Sequence, residues 1–261
     1  PFSSGNRTDA RITTRVDLKN PLSCIYSVMH EVGHALYEQG IPQELYTQPV
    51  GTWCSIGFHE SQSRLFENQI GKSFPYCEYL FPILKTHFPE IGISSVYELY
   101  DTVNEVSPNY VRVDSDEISY NLHILFRYEL EEQLISGELD TKDLNEAWNS
   151  LFTRDFNLKV HSPNHGFLQD IHWASGLFGY FPTYTLGNLY AACIFKKMSS
   201  EMPNLNDQIK RGKFEEILFW LRKNIHKKAK TMTPKQLLWS ITGEAITIDP
   251  FIEYLETKFS P

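Results

Sequence analysis

The chain has little cysteine, no long apolar run and a deficit of positive charge. It holds four cysteines in 261 residues, Cys24, Cys54, Cys77 and Cys193, and none stands in a C-x-x-C pair. In a chain of this length that pattern reads as free thiols of a reducing, cytoplasmic compartment. No apolar run approaches the ~20 residues that span a bilayer, so no membrane partner is expected. The first residues lack a signal-peptide pattern. Lys and Arg number 24 against 32 Asp and Glu, a formal charge of −8, which argues against nucleic acid as the main partner. Low-complexity runs, internal repeats and a convincing domain linker are also missing. What remains is a globular composition, 41% apolar with 17 Phe and 14 Tyr, ample for the core of one large domain or two small ones.

Most of the chain reads as helix. Asn20-Pro21 is a start signal, with Asn as N-cap and Pro at the first helical position, and Gly40 followed by Pro42 is a stop. Between them Leu22, Ile25, Val28, Met29, Val32 and Leu36 recur at helical spacing. Further helical patterns cover about 58–70, 117–135 (with Gly137 as C-cap), 144–156, 186–198 and 214–227. The β-branched alternation from Arg11 to Val16 predicts a strand before the first helix, and Tyr110 to Val113 a short second one.

Inside the first helix lies His30-Glu31-Val32-Gly33-His34, an H-E-x-x-H motif. Residues i and i+4 share one helix face, so two imidazoles there can hold one Zn²⁺. The intervening Glu can take a proton from a water at the metal. A catalytic zinc site uses three protein ligands. The candidate third is Glu60, in His59-Glu60-Ser61, 26 residues after His34, on a helix that would return antiparallel to the first. H-E-x-x-H-x-x-G-x-x-H does not apply, because Gln39-Gly40-Ile41 follow without a third His.

Four further segments stand in order with this motif: Asp9-Ala10-Arg11-Ile12-Thr13, His59-Glu60-Ser61, Arg112-Val113-Asp114-Ser115-Asp116, and Gly166-Phe167-Leu168-Gln169-Asp170-Ile171-His172-Trp173. Together the five resemble the carboxypeptidase Taq family of metallocarboxypeptidases. The resemblance implies a mainly α, gluzincin-type helical metallopeptidase with a small β-sheet beside the H-E-x-x-H helix. It implies release of single residues from peptides with a free C-terminus, with Zn²⁺ or Co²⁺ as cofactor. It assigns His30, His34 and Glu60 to the metal and Glu31 to catalysis, and relatives suggest a homodimer. Pro1-Phe2 would be the remainder of an H-P-F motif. Residues 1–261 are thus expected to form a single catalytic region, the C-terminal half of a larger fold.

Glu31 is expected to act as general base and then pass its proton to the leaving amine. His172, Tyr180 and Tyr184 are candidate oxyanion donors, against core packing as the plainer reading of each Tyr. Arg11 and Arg112 are candidate forks for the terminal carboxylate of the substrate, against pairing with nearby Asp9, Asp114 or Asp116. Gln169 and Asp170 are candidates for substrate binding and for orienting a ligand His or His172. Two other classes compete with a carboxypeptidase: an endopeptidase or aminopeptidase on the same two-helix scaffold, and a non-catalytic metal-binding fragment.

Overall fold

A computed structural model describes residues 2–260. Pro1, and with it the reading of Pro1-Phe2 as a cut motif, lies outside them. The chain divides into two compact units. Unit 1 is the chain up to Val103 together with Leu186 onward, and unit 2 is Asn104–Thr185.

Unit 1 opens with an antiparallel hairpin, β1 (Phe2–Gly5) and β2 (Ala10–Thr13), in which Phe2 faces Thr13 and Gly5 faces Ala10. The hairpin packs against α1 (Pro21–Gly40), so the small sheet does lie beside the H-E-x-x-H helix. Both ends of α1 are punctuated locally. The Asn20 side chain accepts from Ser23 N at the start, and Ile41 turns to extended backbone ahead of Pro42 at the end. Next comes α2 (Ile56–Arg64), whose N-cap Ser55 accepts from Phe58 N. The helix does not continue regularly to Ile70 as its pattern predicts. It widens into a π-helical segment, Leu65–Gly71. Then follow α3 (Phe74–His87) and α4 (Val96–Val103). After unit 2 come α7 (Pro182–Glu201), α8 (Leu205–Lys210), α9 (Glu215–Asn224), α10 (Pro234–Thr242) and α11 (Asp249–Phe259). The core runs through Tyr37, Phe58, Leu65, Ile70, Cys77, Ile194, Met198 and Leu221.

Two glycines fix where α2 sits. A Cβ on Gly33 would stand 2.4 Å from Gln62 O and 2.6 Å from Ser63 Cα, so the backbones of α1 and α2 approach as only glycine allows. On the other side, a Cβ on Gly187 of α7 would stand 2.5 Å from Glu60 Cγ. The helix α2 is therefore held between two close approaches, the second of them at Glu60 itself.

Unit 2 is built on α5 (Tyr120–Ser136) and α6 (Leu144–Phe156). Gly137 adopts φ 80° and ends α5 as its sequence predicts. Phe126, Leu130, Trp148, Phe152 and Phe156 form its core. The strand predicted at Tyr110–Val113 is not formed. Arg112–Asp114 is a 3-10 turn, because the Arg112 N–H is taken by the Gln169 side chain at 2.9 Å rather than by a neighbouring strand. Among the described residues no helix is long and apolar enough to cross a membrane.

Candidate metal centre

His30 and His34 lie one turn apart on α1, and α2 presents Glu60 to both. Glu60 Oε2 is 3.7 Å from His30 Nε2 and 3.5 Å from His34 Nε2. The three ligand atoms all lie within 4.8 Å of one another, with Glu60 buried and the two imidazoles part-exposed. Tetrahedral bonds of about 2.0–2.1 Å to zinc place neighbouring ligand atoms roughly 3.3–3.4 Å apart. The two histidine-to-glutamate spacings, 3.7 and 3.5 Å, stand close to that value, so the cluster suits a small divalent cation.

The outer nitrogens of both rings are engaged, which leaves each Nε2 lone pair for the centre. His30 Nδ1 donates to Glu67 Oε2 at 2.8 Å. His34 Nδ1 lies 3.1 Å from the His59 carbonyl and 2.6 Å from His59 Nδ1. Arg64 ties the two carboxylates of this helix together, with Nε on Glu60 Oε1 at 2.8 Å and an N–H on Glu67 Oε2 at 3.3 Å. Burial works to raise the pKa of Glu60, but His30, Arg64 and the hydrogen-bonding His34 beside it outweigh burial and hold the carboxyl well below the usual range. Burial opposes ionisation of Glu67 as well, and Arg64 and Lys72 prevail there. Both stay anionic. Glu31, between the two histidines, is buried, and burial raises its pKa. A carboxyl poised above its ordinary value is a better base near neutral pH.

The remaining candidates gather in two places. Arg11 sits on β2, 81% exposed, and its guanidinium is paired with Asp9 at 2.7 Å. The others are in unit 2. Arg112 is buried, and its partner is not a sequence neighbour. Its Nε and Nη2 donate to Asp170 Oδ1 at 3.0 and 2.8 Å, and Nη1 donates to Tyr120 OH. Asp170 Oδ2 accepts from Arg127 Nε at 2.7 Å. Burial works against the Asp170 charge, but Arg127 and Arg112 hold its carboxyl below the usual range. Gln169 spans two loops, accepting from Arg112 N and donating to Tyr110 O. His172, Tyr180 and Tyr184 do form one cluster. His172 Nε2 is 3.0 Å from Tyr184 OH, and the Tyr180 and Tyr184 rings are 5.5 Å apart. Burial, aided by Arg112, lowers the His172 pKa, so its ring is neutral.

Several residues of these clusters carry no family-motif signal, among them Arg64, Glu67, Arg127 and Glu38, whose Oε1 lies 3.1 Å from His59 Nε2. For two of these a local signal exists, because Glu38 and Arg64 each stand four residues after a metal candidate (His34 and Glu60), the spacing at which helical side chains meet. Glu67 and Arg127 offer none, since their partners depend on a π-helical turn and on a loop 43 residues away.

Two histidines and a glutamate on antiparallel-packed helices, with a buried glutamate beside the first histidine, define the zinc-hydrolase type of metallopeptidase centre. The chain belongs to the carboxypeptidase Taq (M32) metallopeptidase family, which it matches over residues 1–259. It is 45% identical to thermostable carboxypeptidase 1 of Thermus thermophilus over 97% of this chain and 49% of that protein. It is 37% identical to carboxypeptidase 1 of Bacillus subtilis over 100% of this chain and 52% of that one. The crystal structure of an M32 carboxypeptidase from Deinococcus radiodurans R1 superposes with a TM-score of 0.95 at 38% identity, covering 99% of this chain and 52% of its own. The chain thus spans about half the length of the relatives it matches.

Proposed function

We propose that the chain is the catalytic half of a zinc-dependent metallocarboxypeptidase that releases single residues from peptide C-termini. The observation that carries this reading is the His30, His34 and Glu60 cluster, with Nε2 and Oε2 atoms at ligand spacing. These three would hold the ion. When bound, a divalent cation supplies Lewis acidity toward the scissile carbonyl and lowers the pKa of water. Glu31 takes a proton from the attacking water and delivers it to the amine nitrogen as the C–N bond breaks. Its raised pKa supports both halves of that duty.

Arg11 is the arginine whose partner a substrate carboxylate can displace, because its pair with Asp9 is exposed. Arg112, buried and bonded to Asp170 and Tyr120, is better suited to holding its own loop. His172 and Tyr184, hydrogen-bonded to one another within unit 2, stay as candidate polar donors for the reaction. Four free cysteines, three of them buried, support a reducing compartment such as the cytoplasm.

Glu31→Gln tests the reading. We expect zinc content to stay at the wild-type level while kcat on a blocked dipeptide falls by about 10²–10⁴-fold, the usual worth of a general base. Equal turnover in both proteins would remove Glu31 from the mechanism. Amidation of the peptide C-terminus is expected to abolish release, and continued cleavage would identify an endopeptidase instead.

A further inference from the structure

The two histidines of the centre lean on different chemistry. His30 leans on a carboxylate, Glu67, backed by Arg64 at 3.3 Å and Lys72 at 3.6 Å. His34 leans on a second imidazole. His59 Nδ1 is 2.6 Å from His34 Nδ1, and His59 Nε2 is 3.1 Å from Glu38 Oε1. Glu38 is four residues beyond His34 on the same face of α1, so His30, His34 and Glu38 form one stripe, and His59 reaches it from α2.

The protons in this chain have one consistent arrangement. His34 must keep Nε2 unprotonated to face the centre, so its proton is on Nδ1. His59 Nδ1 then accepts that proton, its own proton is on Nε2, and Nε2–H donates to Glu38. We propose that Glu38 and His59 form a relay that fixes the tautomer and orientation of His34 and so strengthens metal binding; this rests on the metal-centre reading above. Both are positioning residues that act through His34. The His59 ring is locked for the task. It stacks on Tyr37 at 5.6 Å and meets Trp53 edge-on at 5.5 Å, while Tyr37 is fully buried. A ligand whose outer partner is held rigidly loses less freedom on binding.

A rival exists in the same geometry. The backbone carbonyl of His59 is 3.1 Å from His34 Nδ1 and could accept the proton alone, which would leave the His59 ring and Glu38 without a part. Zinc affinity decides between them, read by competition with a chromophoric chelator on the metal-stripped chain, with the apo thermal midpoint recording folding. His59→Phe keeps the stacking and removes the acceptor, and it should weaken zinc about tenfold to a hundredfold. His59→Gln, which can accept from His34 and donate to Glu38, should recover part of that loss. Glu38→Gln keeps a hydrogen bond but loses the charge. It should weaken zinc in the wild-type background and have no effect in the His59→Phe background, because its only route to the metal is through His59.

Unchanged affinity in His59→Phe would assign the role to the backbone carbonyl and overturn the relay. An equal Glu38→Gln loss in both backgrounds would overturn it as well, by showing that Glu38 acts independently of His59. If wild type and Glu60→Gln bind zinc equally weakly, the metal-centre reading itself fails, an outcome distinct from either.

Discussion

The two charged clusters of the molecule are built to opposite ends. Around His30, His34 and Glu60, the outward-facing atoms His30 Nδ1, His34 Nδ1 and Glu60 Oε1 are each bonded, while the inward-facing Nε2 and Oε2 atoms meet one another at 3.5–3.7 Å. Around Asp170, by contrast, the carboxylate is taken up by its own neighbours. Two buried guanidiniums converge on both oxygens of one carboxylate. A site that keeps lone pairs pointed at a common centre is prepared for a cation. A site that spends its lone pairs on its own arginines holds its loops in place. Burial and charge alone do not separate these cases; the direction of the lone pairs does.

The largest way to break that contrast is Asp170→Asn. The substitution keeps the volume but leaves Arg112 and Arg127, 6% and 0% exposed, without their shared anion. Breaking a buried pair from one side typically costs about 3–5 kcal/mol. We expect the urea midpoint of the apo chain to fall accordingly, with zinc affinity unchanged in the fraction that folds. A loss below about 1 kcal/mol would mean that the cluster is as well solvated as a surface pair.

The difference between the clusters also explains what the sequence could tell. The α1 ligands are four residues apart in a helix with its own cap and stop, so pattern alone reaches them. Glu60 needed one further step, a second helix returning at short range. The Asp170 cluster joins residues 112, 127 and 170, which no local periodicity links, and its Arg127 stood outside every motif. The strand expected at Tyr110–Val113 failed for the same reason: a side chain distant in sequence, Gln169, took the N–H that a strand would have used. The π-helical turn after Arg64 was hidden because its apolar residues still recur at nearly helical spacing, and yet it is what carries Glu67 to His30. The division into two units was hidden as well. No Gly- or Pro-rich linker marks Val103, and the second crossing falls inside α7.

A smaller effect compares the units through one buried histidine in each. In unit 1, His226 Nε2 donates to Gln62 Oε1 at 2.9 Å. In unit 2, His123 Nε2 donates to Asn109 O, and its Nδ1 accepts from Arg127 at 3.2 Å. Both rings are neutral by geometry. Burial pushes both pKa values down to about 3, assisted by Arg222 for His226 and by Arg127 for His123. The folded pKa is thus below the unfolded value of 6.5, so their stability contribution is whole above pH 6.5 and is lost as pH falls toward 3. Within that window each costs about 1.4 kcal/mol per pH unit. Ordinary carboxylates enter lower down, and subtracting the wild-type curve removes the other titrating groups, so unfolding free energies from pH 6.5 to roughly 5 report on the substituted ring. Compared with wild type, His226→Gln and His123→Gln are each expected to remove one histidine's share of that slope. An unaltered slope in either variant would show that its ring already carries a proton in the native state.

Arg11 gives the smallest effect on stability and the sharpest test of how an exposed pair differs from a buried one. Its bond to Asp9 is short, 2.7 Å, but the side chains are 81% and 54% exposed, and water replaces such a contact at little cost. Arg11→Ala should therefore leave the denaturation midpoint where it is, unlike Asp170→Asn. Its effect belongs to the substrate. If Arg11 trades Asp9 for a terminal carboxylate, the alanine variant should raise KM about tenfold or more, the usual worth of a charged hydrogen bond, with zinc content intact. Arg11→Lys should recover only part, since a single ammonium cannot form the two-pronged bond. An unchanged KM would return Arg11 to its hairpin as a partner of Asp9 alone, and the carboxylate would then need a cation from elsewhere in the protein.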